Sequence, residues 1–294
     1  MNTTSLRTET EVGVRSIILC RPDEYNTITP ALRDELAVAI DEADSDPDVS
    51  VILLRAEGPA FCAGYGLDWS TLSQAGEEGK ERVWDSVMDM RMISRFVDVY
   101  MKLWYASKPT IAAVQGWCIG GGTDMVLCAD IIIAGESASF GYPPSRVWGT
   151  PTTAMWVYRM GIEKAKRYML TGDEIPAPEA ARIGLILETV LDEQLQEHAQ
   201  SFARRMAQVP LNQLTMLKLL CNQTVENMGM SSSRTLGMLF DGIARHTQEG
   251  HDFVARSNAV GFRQAVRERD DPFGDYGSGP KSRRRRTPRE NNNE

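Results

Sequence analysis

Short unbroken apolar runs alternate with stretches of helical spacing up to about residue 192, and beyond it only the helical spacing continues. The runs VRSIILC (14–20), VSVILLRAEG (49–58), TIAAV (110–114), DIIIAG (130–135) and ILETV (186–190) predict strands. Pro30 opens a predicted helix in PALRDELAVAIDEADSD, where Leu32, Leu36, Ala39 and Ile40 recur at helical spacing. RVWDSVMDMRMISRFVDVYMKLWYAS predicts one long helix rich in Met and aromatics, serving core and subunit packing or the wall of an apolar pocket. TDMVLCA starts another helix, and EKAKRYMLTG and APEAARIGL make short ones. From residue 192 onward EQLQEHAQSFARRMAQV, LNQLTMLKLLCNQTVENM and SSRTLGMLFDGIARHTQEGHDFVARSNAVGFRQAV read as helical. An α/β core, residues 1–200, followed by a helical region, 201–270, is the resulting expectation. The tail, 271–294, is nearly free of apolar residues over DYGSGPKSRRRRTPRENNNE and is expected to be disordered. Its Arg283–Arg286 run reads as solvated, with RNA or an acidic partner as the alternative.

Composition narrows the class. The chain has 294 residues, 42% hydrophobic and 24% charged, as in an ordinary globular protein. Its apolar runs fall well short of the roughly 20 residues that span a bilayer, and MNTTSLRTETEVGVRS holds no secretory apolar region. A cytoplasmic protein with no membrane partner is expected. The net charge of −8 argues against nucleic acid as the main partner. Five cysteines, Cys20, Cys62, Cys118, Cys128 and Cys221, at irregular spacing point to reduced thiols. With no CxxC pair and three histidines, no metal site is expected.

Two glycine-rich segments carry the candidate chemistry. GPAFCAGYGLDWSTL leaves the strand at 49–58, with Asp68 placed to cap a helix near Trp69. GWCIGGGTDM leaves the strand at 110–114. Gly116 and Gly121 have phosphate-loop spacing and Thr123 is in place, but Gly122 stands where the lysine must be. The dinucleotide pattern fails because Met125 stands at its third glycine. A remaining use for such a turn is to bare a backbone N–H at a helix start, where it can hold an oxyanion. An oxyanion site needs two donors, and the other glycine loop can present the second.

RPDEYNTITPAL, GPAFCAGYGLD, KPTIAAVQGWCIGGGTDMVLCADIIIA, ASFGYP and HTQEGHDF occur in that order, and together they resemble the enoyl-CoA hydratase/isomerase, or crotonase, superfamily over about residues 10–265. The resemblance implies a crotonase-like spiral of ββα units with C-terminal helices that assemble trimers or hexamers. It implies an acyl-CoA thioester substrate of the kind met in fatty acid metabolism, coenzyme A being part of that substrate and no separate cofactor being used. Carried over, the oxyanion donors fall on the N–H groups of Tyr65 and Gly121. Asp23, Glu24, Tyr25, Ala63, Gly64 and Leu67 match substrate-contacting positions, as do Ile119, Gly120, Pro143, Pro144 and Ser145. The family's lysines beside the oxyanion loop are missing, leaving Arg21 as a phosphate contact. Family hydratases use two glutamates. Asp124 stands at the first, a catalytic position or an acid placed for a helix dipole, and Pro144 or Ser145 stands at the second. One acid fits isomerisation of an enoyl- or dienoyl-CoA better than addition of water. The competing class is a non-catalytic protein of this fold that binds acyl-CoA or RNA. Tyr142 and Trp148 are expected in the pocket wall, Asp130 at a turn, and Cys62 as buried filler.

Overall fold

A computed structural model describes residues 5–66 and 85–276. Its larger sheet has the strand order β1 (Leu6–Glu11), β2 (Val14–Leu19), β3 (Val51–Ala56), β5 (Thr110–Val114), β7 (Ile131–Gly135) and β10 (Glu188–Val190). β1 and β2 are antiparallel, and every other neighbouring pair is parallel. A smaller sheet holds β4 (Ala60–Cys62), β6 (Trp117–Ile119), β8 (Ser139–Gly141) and β9 (Ile175–Pro176), the last antiparallel.

All five predicted strands form, in the larger sheet. Both of its faces are covered, so its strands read as continuous apolar runs. Ile17, Leu19, Ile52, Leu54, Ala112, Val114 and Ile132 enter the main core. Their neighbours Val14, Val51, Leu53, Ile111, Ala113 and Ile133 meet Leu195, Ala199 and Ala203 of helix α7 (Leu195–Met206). β1 and the whole smaller sheet fall outside the sequence expectation. β1 is exposed along most of its length, and the smaller sheet's strands are two or three residues long, too short to show a period.

β3 leads to β4, β5 to β6 and β7 to β8, and each pair precedes a helix: α2 (Ser86–Tyr105), α3 (Gly121–Val126) and α4 (Met155–Met160). This repeated ββα step is the expected spiral. α1 (Pro30–Ser45) starts at Pro30 behind Thr29, whose hydroxyl accepts from Leu32 N at 3.1 Å. The long predicted helix is α2, capped by Asp85, whose carboxylate accepts from Val87 N and Met88 N at 3.0 Å. α5 (Ile162–Met169) and α6 (Ala177–Arg182) are the short helices.

Beyond α7, the C-terminal helices are α8 (Leu211–Asn227), α9 (Met230–Ala244), α10 (Gln248–Val260) and α11 (Phe262–Asp270). The last long helical stretch is therefore three helices. Thr247 makes the first break: its hydroxyl caps α10 by accepting from Gly250 N at 3.2 Å. Gly261, at φ +84°, makes the second and divides α10 from α11.

At the start of the expected tail Asp271–Phe273 form an exposed 3-10 turn, and Asp275 and Tyr276 then pack against the protein instead of being disordered. Tyr276 is buried, and its hydroxyl donates to Gly172 O at 2.8 Å. Residues 277–294 lie outside the described residues. Among the described residues no helix is long and apolar enough to cross a membrane.

Candidate active site

The glycine triplet joins β6 to α3, and each glycine has its own reason. Gly120 takes φ +55° and ψ −128°, a backbone shape that side chains rarely adopt. A Cβ on Gly121 would lie 2.6 Å from Tyr65 Cε2, and one on Gly122 would lie 2.5 Å from the Cys62 carbonyl oxygen. The Gly121 N–H is buried, and no acceptor among the described residues takes it. α3 has only six residues, so its dipole lends this N–H less than a long helix would.

The second glycine loop meets the first. A Cβ on Gly64 would lie 3.5 Å from Gly121 N. Ile28 N donates to Gly64 O and Gly66 N donates to Ile28 O, both at 2.8 Å. That pairing turns the N–H and C=O of Tyr65 away from Ile28. The Tyr65 ring covers Gly121, stands edge-on to Phe96, and places its hydroxyl 3.2 Å from that of Tyr100. Ala63, Gly64, Tyr65, Ile119, Gly120 and Gly121 are thus brought together.

Asp23 and Glu24 lie in a short 3-10 turn, and Tyr25 O accepts from Ala63 N at 3.0 Å. Buried Asn26, which the sequence reading missed, ties this turn down: its amide donates to Glu57 O and Ala60 O at 2.9 Å. Asparagine in a turn is the signal that was available. Arg21 donates to Thr27 O and pairs with Glu24, so its guanidinium is already engaged. Leu67 and the cap expected at Asp68 lie outside the described residues.

Asp124 is fully buried. One carboxyl oxygen accepts from Thr152 N at 3.2 Å, and Oδ2 has no partner among the described residues. Burial pushes its pKa well above the usual carboxylate range; the Thr152 hydroxyl and the Thr152 and Thr153 peptide groups offset part of this, and Asp241 adds to it. The Thr152 hydroxyl faces the carboxyl but stands outside hydrogen-bond geometry. A buried polar group left unpaired costs about 1–3 kcal/mol.

Pro143, Pro144 and Ser145 form a 3-10 turn with Arg146. Of the two candidates at the second acid position, Pro144 faces the glycine turn, 3.7 Å from a Cβ built on Gly120. Ser145 donates to Tyr142 O at 2.9 Å and lies against Gly172. The model of the enoyl-CoA hydratase/isomerase family matches residues 9–259 of the chain. The chain belongs to that family.

A crystal structure of an enoyl-CoA hydratase from Mycobacterium smegmatis superposes with a TM-score of 0.88 at 40% identity, covering 95% of this chain and 97% of that one. An enoyl-CoA hydratase/isomerase from Xanthobacter autotrophicus Py2 gives 0.83 at 26% identity, covering 92% and 98%. The hydroxycinnamoyl-CoA hydratase-lyase of Pseudomonas fluorescens is 29% identical over 206 residues, 69% of this chain and 72% of its own.

In this member of the enoyl-CoA hydratase/isomerase family the C-terminal helices add charged groups that the sequence reading missed. Asp241 Oδ2 on α9 accepts from Arg245 Nη2 at 3.2 Å, one helical turn away. A Cβ on Gly149 would lie 3.5 Å from Asp241 Oδ1 and 3.1 Å from Pro144 Cβ, so α9 abuts the loop that faces the glycine turn. The phenols of Tyr65 and Tyr142 are pushed up by burial first and then by Asp124 and Asp241, with Arg245 offsetting. An Asp and Arg at i and i+4 in LFDGIARH were the legible signal.

Tyr142 is buried and donates to Thr150 O at 2.9 Å; Trp148 lies 6.2 Å from Phe253 and under Arg245. Asp130 does fix a turn, accepting from Thr110 N at 2.7 Å and pairing with Lys218. Cys62 is fully buried, and burial pushes its thiol up to about 12, which suits filler and not a nucleophile.

Proposed function

We propose that this family member stabilises a thioester enolate of an acyl-CoA, with the N–H groups of Tyr65 and Gly121 receiving the thioester oxygen and Asp124 moving the proton. The observation that carries this reading is the buried, unaccepted Gly121 N–H beside the Tyr65 loop, with the Asp124 carboxyl in the same short helix. Ionised Asp124 takes a proton from the γ-carbon of an α,β-enoyl thioester. The freed electron pair spreads through the double bond to the thioester oxygen, where the two N–H groups hold the charge. Asp124 returns the proton at the α-carbon, and the double bond has moved to β,γ. Atoms and charge balance without a separate cofactor.

Isomerisation is preferred over hydration because Pro144 and Ser145 supply no second acid. The burial that raises the Asp124 pKa also makes its ionised form a stronger base. The substrate is acyl-CoA, held in part by the Asp23–Tyr25 turn, and the setting is cytoplasmic. Met216, Leu217, Leu219 and Leu220 are exposed on α8, which supports assembly through the C-terminal helices as a trimer or hexamer.

Purified protein is to be assayed on enoyl- and dienoyl-CoA panels. Turnover by the wild type and a loss of about 10²–10⁴-fold in Asp124→Asn are expected. No turnover of any thioester sinks the reading, and so does an Asp124→Asn enzyme as active as wild type.

A further inference from the structure

We infer that Arg245 is a specificity residue of this site and reads an uncharged acceptor oxygen carried by the acyl group beyond the thioester. The inference rests on the acyl-CoA reading above.

Arg245 donates through Nε and Nη2 to a single oxygen of Asp241, at 3.4 and 3.2 Å. Its Nη1 is buried and has no partner among the described residues. Three more orphaned oxygens belong to the same surroundings: Asp124 Oδ2, Thr152 Oγ1 and Thr153 Oγ1, on residues buried to 0%, 1% and 3% exposure. Close packing relates these groups: Pro144 Cγ lies 3.7 Å from where a Cβ on Gly120 would stand, and Pro144 Cβ and Asp241 Oδ1 lie 3.1 and 3.5 Å from where one on Gly149 would stand. Buried polar atoms are nearly always paired in native proteins, and a hydrocarbon acyl chain pairs none of these.

Asp124 is occupied by the proton at the reacting carbons, so Arg245 is left for a group farther along the acyl chain. Its guanidinium lies 5.4 Å from the Trp148 ring centroid, which gives that group a flat wall. Asp241 already neutralises Arg245. A carboxylate on the acyl chain would therefore bring a net negative charge into a buried place, whereas a keto or hydroxyl oxygen accepts from Nη1 without one.

The test measures binding of hexanoyl-CoA, 4-oxohexanoyl-CoA, 5-oxohexanoyl-CoA and 6-hydroxyhexanoyl-CoA by calorimetry. These saturated thioesters report binding without turnover. At least one oxygenated chain is expected to bind the wild type about 10-fold or more tighter than hexanoyl-CoA. Arg245→Met should remove that advantage while hexanoyl-CoA affinity stays within about 3-fold. Since Arg245→Met leaves Asp241 buried and unpaired, the neutral pair Asp241→Asn/Arg245→Met is measured beside it, with folding followed by circular dichroism. Equal affinity for all four ligands overturns the inference and leaves the acyl-CoA reading standing, as does an advantage that survives in the folded double variant. Failure of all four to bind overturns both.

Discussion

Asp124→Asn should stabilise the protein increasingly as pH rises. The carboxyl is fully buried, accepts one hydrogen bond from Thr152 N, and has an Oδ2 with no partner among the described residues. Its pKa is raised, by burial first, with the charge of Asp241 adding. The folded state therefore keeps the proton at pH values where the unfolded chain, with Asp near about 3.9, has lost it. Stability from this group is fully present below that unfolded value and is lost as pH rises toward and through the folded one. Between the two values the wild type loses up to about 1.4 kcal/mol per pH unit relative to a chain that cannot titrate there, or about 2.7 kcal/mol over two units. Asparagine has nearly the same shape and no charge to bury. Urea unfolding of both proteins at pH 5, 6 and 7 measures the gap. A gap that widens with pH is expected; one that is constant or narrows refutes a raised, desolvated carboxyl.

Gly121→Ala would place its Cβ 2.6 Å from Tyr65 Cε2, so the ring must move and the loop with it; a fall of about 10²-fold or more in kcat on an accepted enoyl-CoA is expected, and unchanged kcat removes Gly121 from the oxyanion site. Arg146 is 2% exposed at its side chain and pairs with Asp270 at 2.9 Å and Asp275 at 2.7 Å. Arg146→Ala should cost about 3–5 kcal/mol in urea unfolding by removing the buried cation that these two carboxylates share, even though Asp270 keeps Arg269 and Asp275 keeps the Glu174 N–H, and a cost below about 1 kcal/mol refutes that role.

The inner strands of the larger sheet were legible because they are covered on both faces, as Ile17 and Ile52 on one side and Val51 and Leu53 on the other show, whereas exposed β1 was not. The smaller sheet was not. Ala60–Cys62, Trp117–Ile119 and Ser139–Gly141 are each too short for a period, and they adjoin glycines that read as loop. The helical stretch after residue 230 kept its spacing across Thr247, so the break at this cap was hidden within it. The glycine motifs did place Tyr65, Gly64 and Gly121 side by side, since each motif follows a strand of the larger sheet and neighbouring strands bring their ends together.

Asp241 and Arg245 could not be placed by any local pattern. Their i, i+4 spacing on a helix describes an ordinary surface pair equally well, and only the packing of α9 against the 142–153 loop buries them. The same packing explains what replaces the family's second acid. Pro144 fills the space beside Gly120, and Asp241 and Arg245 close on the same loop at Gly149 and Trp148. Being paired with each other, they suit recognition of a substrate oxygen more than proton transfer, so the proposed mechanism gives the proton chemistry to Asp124 and the choice of acyl group to the C-terminal helices.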